Sequence, residues 1–256
     1  MSLTDRYSLE GQRALVTGAS RGIGAAVARS LAAAGAQVVV SARPGADLEA
    51  TATSIQSEFG ARTVALPAFL EQAAGAEQLA REAWDVCGGL DILVNNAGIS
   101  IPQRVIDITA EAWDATMAIN LRAPALLSAR IGAQMAKAGG GRIVNIASVA
   151  GLRALSEHYA YSTSKAGLAM VTKSLAAELG PHGVRTNTVS PTVILTEMGK
   201  RVWGVETKAA PMLARIPVGH FGVPDDVAAA VLYLTSPAAE MVNGTEIIVD
   251  GGFTAL

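Results

Sequence analysis

Thr17-Gly18-Ala19-Ser20-Arg21-Gly22-Ile23-Gly24 stands between the apolar run Ala14-Leu15-Val16 and an Ala-rich stretch in which Ile23, Val27 and Leu31 recur every four residues. The run before it has the unbroken hydrophobicity of a strand covered on both faces. The stretch after it carries the apolar stripe of a helix that lies on a sheet. Gly18 permits a tight exit from the strand, Gly22 lets the backbone approach a pyrophosphate, and Gly24 allows close packing of helix on strand. The helix start adds free N–H groups and a positive dipole end for an anion. An ordinary βα turn also collects glycine, and the strand before and helix after are what distinguish a dinucleotide loop from it.

The same alternation extends in both directions. Short apolar runs begin at Val38, Thr63, Asp91, Arg142, Val184 and Thr245, and helix-period segments separate them. With the run that ends at Gly18, about seven strands are predicted. They form a single-domain α/β fold, a Rossmann-type doubly wound parallel sheet with helices on both faces. A chain of 256 residues, half of them hydrophobic, suits one such domain spanning 1–256, and no linker or repeat divides it. The stretch from Glu197 to Gly222 is less regular and holds Trp203; it reads as a cover over a site, or else as a surface excursion without a role in binding.

With 20 basic and 22 acidic residues, the charge balance gives no ground for electrostatic capture of nucleic acid or membrane. A neutral small molecule is the expected partner. The lone Cys87 has no internal disulfide partner and no apolar leader is seen, so a cytoplasmic location is expected. No metal site is assigned.

The second strand ends Ser41-Ala42-Arg43, where an acid would accept from a ribose hydroxyl and a cation would pair with a 2′-phosphate. Arg43, assisted by Arg21, therefore favours NADP(H), with NAD(H) as the alternative. Tyr161 and Lys165 lie four residues apart on a segment of helical period and project from one face. The ammonium is expected to lower the phenol's pKa from about 10 and make Tyr161 a usable acid or base. Ser148 follows a strand at the edge where open α/β sheets bind ligands, and its hydroxyl could hold a substrate carbonyl. Asn96, Ala97 and Gly98 lie at another strand end, where amides can satisfy a tight bend. Asn120 sits inside a helical stretch, where an asparagine is unfavourable without a polar task.

TGASRGIG at 17–24, NNAG at 95–98 and YSTSK at 161–165, with Asn120 and Ser148 between them, together resemble the short-chain dehydrogenase/reductase family. The resemblance implies that Asn120, Ser148, Tyr161 and Lys165 form a catalytic tetrad. It implies that Lys165 also binds the nicotinamide ribose and that Asn120 holds a proton-relaying water. Gly18, Ser20, Arg21, Gly22, Ile23, Gly24, Arg43, Leu70, Asn96, Ala97, Gly98, Tyr161, Lys165, Pro191, Ile194 and Thr196 would bind the cofactor. Pro191-Thr192 replaces the usual Pro-Gly and is similar to the L-xylulose reductase and dicarbonyl reductase group, NADPH enzymes of small sugars and diketones. Phe69 stands where the family has an aspartate near the adenine, which leaves the Leu70 backbone and stacking to hold the base.

His158 matches a histidine of that group, and His158, Trp203 and Ser148 are the expected substrate contacts. Exposed small residues, including Ala160, Gly167 and Ala169, would let long helices approach closely, and the resemblance implies that they pair across a two-fold axis in a homotetramer. The reading is an NADPH-dependent oxidoreductase of a small polar carbonyl or secondary alcohol. A 3-oxoacyl-carrier-protein reductase and a non-catalytic dinucleotide sensor or scaffold are the alternatives. The former would need a basic site mouth, for which Lys200, Arg201 and Lys208 are available.

Overall fold

Seven stretches of aliphatic and β-branched residues pair into one sheet in the computed structural model, which describes residues 2–196, 199, 200, 203 and 205–256. The strands are β1 (Arg13–Thr17), β2 (Gln37–Ala42), β3 (Thr63–Pro67), β4 (Ile92–Asn95), β5 (Gly141–Ile146), β6 (Val184–Pro191) and β7 (Glu246–Val249). Every pair is parallel, in the order β3-β2-β1-β4-β5-β6-β7. The described helices are α1 (Leu3–Tyr7), α2 (Gly22–Ala33), α3 (Ala46–Phe59), α4 (Ala73–Cys87), α5 (Ala110–Met117), α6 (Ala123–Ala138), α7 (Tyr159–Leu179), α8 (Glu206–Leu213) and α9 (Pro224–Thr235). The helix expected from Ile23 to Ala34 runs from Gly22 to Ala33.

Strand alternation divides the core in two. Val16, Val94 and Val144 face α2 and α9 through Val27, Leu31, Val227 and Val231. Leu15, Leu93 and Ile143 face α4 and α6 through Leu79, Leu127 and Ile131. These strands read as continuous apolar runs because both faces are covered.

The contact of α7 with the sheet is instead polar. Asn95 Nδ2 donates to Ser128 Oγ at 2.9 Å and to Asn145 Oδ1 at 2.8 Å. Asn145 Nδ2 and Thr188 Oγ1 each donate to Thr172 Oγ1 at 2.8 Å, and Thr172 Oγ1 donates to Leu168 O at 3.1 Å. Apolar surfaces slide on one another, whereas directional bonds fix a helix's height and rotation on the sheet. This chain therefore sets where the start of α7 stands.

Thr172→Val, which keeps the shape and removes the hydroxyl, leaves the Asn145 amide and the Thr188 hydroxyl without their shared acceptor. Urea unfolding should show a loss of about 1–3 kcal/mol.

Candidate active site

The glycine loop leaves β1 through Gly18 at φ +65° and enters α2 at Gly22 at φ +59°, a left-handed backbone that side chains oppose. A Cβ on Gly24 would lie 2.3 Å from Gly18 O and 2.5 Å from Asn96 Nδ2, so the start of α2 presses on the loop itself. Asn96 Nδ2 donates to Thr17 O at 3.0 Å and Gly18 O at 3.1 Å. Thr17 Oγ1 accepts from the N–H groups of Asn96 and Ala97, each at 3.1 Å. No side chain caps α2 at its N-cap, Arg21, and its first N–H groups stay available to an anion. The Thr51 hydroxyl of α3 donates to Ser20 O and steadies the loop's middle, while Ile23 packs on the first core.

Arg21 and Arg43 are exposed beyond the ends of neighbouring β1 and β2. Phe69 is half-exposed next to them, and Leu70 is buried. The backbone at 69–71 is held: Gly75 has no room for a Cβ, which would meet Phe69 O at 2.1 Å, and Arg122 Nη2 donates to Glu71 O at 2.5 Å.

Beyond β5, Ser148 starts a short 3-10 turn, and its Oγ accepts from Ala150 N–H at 3.1 Å. The Ser148 hydroxyl faces the Tyr161 phenol and acts to lower its pKa. Lys165, buried on α7, donates from Nζ to Ile146 O at 2.8 Å and lies 5.6 Å from the centroid of the Tyr161 ring. Asn120 is fully buried in a π-helical turn, Ala118–Arg122. Pro124, four residues on, has no N–H for an α-helical bond to the Asn120 carbonyl, and the helix widens there. Asn120 Oδ1 accepts from Ile99 N–H at 2.8 Å, while Nδ2 donates to Ile99 O at 2.8 Å and Ser164 Oγ at 3.2 Å. A Cβ on Gly98 would lie 3.4 Å from Asn120 Oδ1 and 3.5 Å from Lys165 Nζ, so this glycine keeps open the space where the two meet.

The electrostatics correct one expectation. Burial raises the Tyr161 phenol's pKa above its ordinary value, where the spacing with Lys165 predicts a lowering, and the Ser148 hydroxyl acts the other way. The ammonium lies over the ring and is bonded to the Ile146 carbonyl. Burial also pulls Lys165 down to about 8.

His158 is the N-cap residue of α7, with its ring edge-on to Tyr161 at 5.9 Å and Nδ1 bonded to Ser156 O. Pro191 ends β6. Ile194 then turns into the first core, while its neighbours Val193 and Leu195 join a third core that Val149, Ala209, Ile216, Phe221 and Phe253 form over this end of the sheet. Trp203 packs on that third core, 5.6 Å from the Phe221 ring. A Cβ on Gly22 would lie 3.1 Å from Thr196 Cγ2, which places Thr196 against the glycine loop. In the expected cover, α8 is regular; residues 197, 198, 201, 202 and 204, Arg201 among them, and the Lys208 side chain lie outside the described residues. Ala160 is buried within the chain, contrary to expectation, because it turns inward on α7; Gly167 and Ala169 are partly exposed. Gly167 lines a groove of about 1050 Å³ between α5, the π turn and α7, together with Trp113, Leu121 and Met170.

Residues 18–254 match the family described as enoyl-(acyl carrier protein) reductase. D-threitol dehydrogenase of Mycolicibacterium smegmatis is 42% identical over 99% of this chain and 97% of its own. The chain belongs to the short-chain dehydrogenase/reductase family. L-xylulose reductase of Mesocricetus auratus is 42% identical over 96% of this chain and 97% of its own. Among solved structures, gluconate 5-dehydrogenase of Burkholderia cenocepacia, in complex with NADP and tartrate, superposes with a TM-score of 0.94 at 31% identity, covering 100% of both chains.

Two parts of this short-chain dehydrogenase/reductase site escape a motif-by-motif reading. Thr17 ties the ends of β1 and β4 together, and Ser164 links Asn120 to the Tyr161 carbonyl, to which its Oγ donates at 2.7 Å. Both lie inside the motifs, and only the three-dimensional partners reveal their tasks.

An unfolded lysine titrates near its ordinary 10.5, and folded Lys165 near about 8. Between these values the unfolded chain holds a proton that the folded chain lacks, so stability rises with pH through that window and this penalty is constant below it. Urea unfolding should show a gain on the order of 2 kcal/mol between about pH 8 and pH 9.5, with that increment absent in Lys165→Met.

Proposed function

We propose that the protein is an NADPH-dependent oxidoreductase that moves a hydride between nicotinamide and a small polar carbonyl or secondary alcohol: a ketose, polyol or dicarbonyl. The observation that carries this reading is the meeting of the Ser148 and Tyr161 hydroxyls with Lys165 and Asn120 at the sheet edge that also holds the glycine loop. The residues fit a dinucleotide. Gly18 and Gly22 give a loop free of side chains, the start of α2 offers uncapped N–H groups, and Gly98 leaves room beside Lys165. Arg43 and Arg21, both exposed at the ends of β1 and β2, suit a 2′-phosphate and favour NADP.

When bound, the reduced nicotinamide supplies the hydride. Ser148 donates a hydrogen bond to the substrate oxygen and holds it against Tyr161. Tyr161 passes its proton to that oxygen in reduction and takes it back in oxidation. A phenol held up by burial keeps its proton at neutral pH, which suits the acid role. Lys165, charged below about pH 8, stabilises the phenolate left behind. Asn120 has its side-chain amide engaged by Ile99 and Ser164, so it fixes the strand-end loop and α7, leaving its main chain for a water.

His158 and Trp203 are proposed substrate contacts, and the segment at about 197–222 the substrate cover, in a single catalytic domain of 1–256. The apolar groove between α5 and α7 suits a second copy, and a homotetramer is the assembly we propose. We place it in the cytoplasm, where the half-buried free thiol of Cys87 stays reduced. The match to the enoyl-(acyl carrier protein) reductase family favours a second reading, a carrier-linked acyl substrate.

NADPH oxidation at 340 nm with diacetyl, L-xylulose, other ketoses and an acetoacetyl thioester separates the two. Turnover of the free carbonyls should fall by about a hundred- to ten-thousandfold in Tyr161→Phe. Thioester-only turnover would move the assignment to the acyl substrate, and undiminished turnover in the variant would refute the mechanism. Arg43→Asp should raise the KM for NADPH roughly ten- to a hundredfold while that for NADH barely moves. Equal changes would remove the case for NADP.

A further inference from the structure

We infer that Arg153 and Arg215 are positioning residues: through Phe253 they lock α8 to the segment that carries Ser148, and carbonyl binding depends on this lock while dinucleotide binding does not. The last clause rests on the reading above; the lock itself does not. Phe253 is 1% exposed and sits in the third core. The Arg153 guanidinium lies 5.6 Å and that of Arg215 4.6 Å from its ring centroid. Two cations at one ring repel, so the arrangement persists only where something else holds them. Arg153 is held: Nη1 donates to Phe253 O at 2.9 Å and also to Leu256 O. Arg215 keeps its exposure to water, which screens the repulsion.

Each arginine reports on a different part of the site. Arg153 N–H donates to Val149 O at 2.9 Å, one turn after Ser148. Arg215 follows α8, and its N–H donates to Met212 O at 3.1 Å. The turn before Phe253 is stiff. The Asp250 carboxylate accepts from Gly252 N–H at 2.8 Å and from Thr254 N–H and Oγ1 at 2.7 Å each, and Val218 N–H donates to Gly251 O at 3.2 Å. Displacing Phe253 therefore moves α8 relative to Ser148. The glycine loop rests on the first core, which shares no buried residue with the third.

The test uses the full chain with Arg153→Met, Arg215→Met, the double variant and Arg153→Lys. Each single Met variant should raise the carbonyl KM roughly five- to tenfold, the range of a partly desolvated cation–π contact, with kcat and the NADPH Kd, read by fluorescence, within about twofold. Both arginines act on one ring, so the double variant should exceed the worse single by no more than about twofold. Arg153→Lys keeps a cation over the ring and should return KM to within about threefold of the parent. Backbone amides from Ala209 to Ile216 should exchange hydrogen roughly tenfold faster in Arg153→Met, although Arg153 lies outside that segment. Unchanged exchange there, multiplicative effects in the double variant, or KM and NADPH Kd rising together would overturn the inference. A parent chain inactive on every carbonyl would refute the proposed function instead, and the exchange experiment would still decide the lock.

Discussion

The ends of β1 and β4 are bound together by one asparagine side chain, and the site is built around that junction. In the order β3-β2-β1-β4-β5-β6-β7 the chain winds outward in one direction from β1 and then in the other from β4. The loops leaving these two strands therefore part to opposite faces, and a crevice opens between them. Without a brace the crevice would have no fixed width. Asn96 bridges it to Thr17 O and Gly18 O, and Thr17 Oγ1 returns two bonds from β4's side. Gly24 then brings α2 onto the same atoms, so the uncapped helix start and the Gly98 end of β4 are placed by a single knot.

Across from this knot the chemistry depends on how α7 is held. A helix carrying the proposed proton donor must keep its height to a fraction of an ångström. The Asn95-Asn145-Thr172 chain does this under the helix, and Asn120 does it near the helix start through Ser164. Burial then acts oppositely on the two ionisable groups: it favours neutral phenol at Tyr161 and neutral amine at Lys165. At neutral pH the phenol keeps its proton and the amine, at about 8, is still mostly protonated, so the pair carries a single positive charge. A bare helical-spacing argument places the two residues on one face but cannot weigh desolvation against their mutual attraction. It therefore misjudged the direction at Tyr161.

The fold was legible because buried parallel strands must be apolar along their whole length, as Val38-Val39-Val40 and Ile92-Leu93-Val94 are, and helix stripes must recur at the period seen at Ile23, Val27 and Leu31. The glycine loop and the Tyr161-Lys165 pair were legible because their partners lie close in sequence. Ala160 misled because its position on a helix does not reveal which side faces the chain's own interior. The third core was not legible at all. Its members, from Val149 to Phe253, are separated by as much as the distance from Ser148 to the last residues, and no local period connects them.

The third core keeps the surroundings of the proposed substrate site apart from those of the glycine loop. Residues 193–195 alternate between two interiors: Ile194 enters the core on which α2 and α9 pack, and Val193 and Leu195 enter the one beneath α8. An extended segment presents successive side chains to opposite faces, so one stretch of backbone can serve both walls without either dictating the other's sequence. Ile194 answers to the α2 and α9 side, where the shape of the proposed dinucleotide is constant. Val193 and Leu195 answer to α8, Trp203 and Phe221, the proposed substrate wall. Changes to the second group can reshape the proposed substrate wall while Thr196 remains against Gly22 and the glycine loop is preserved.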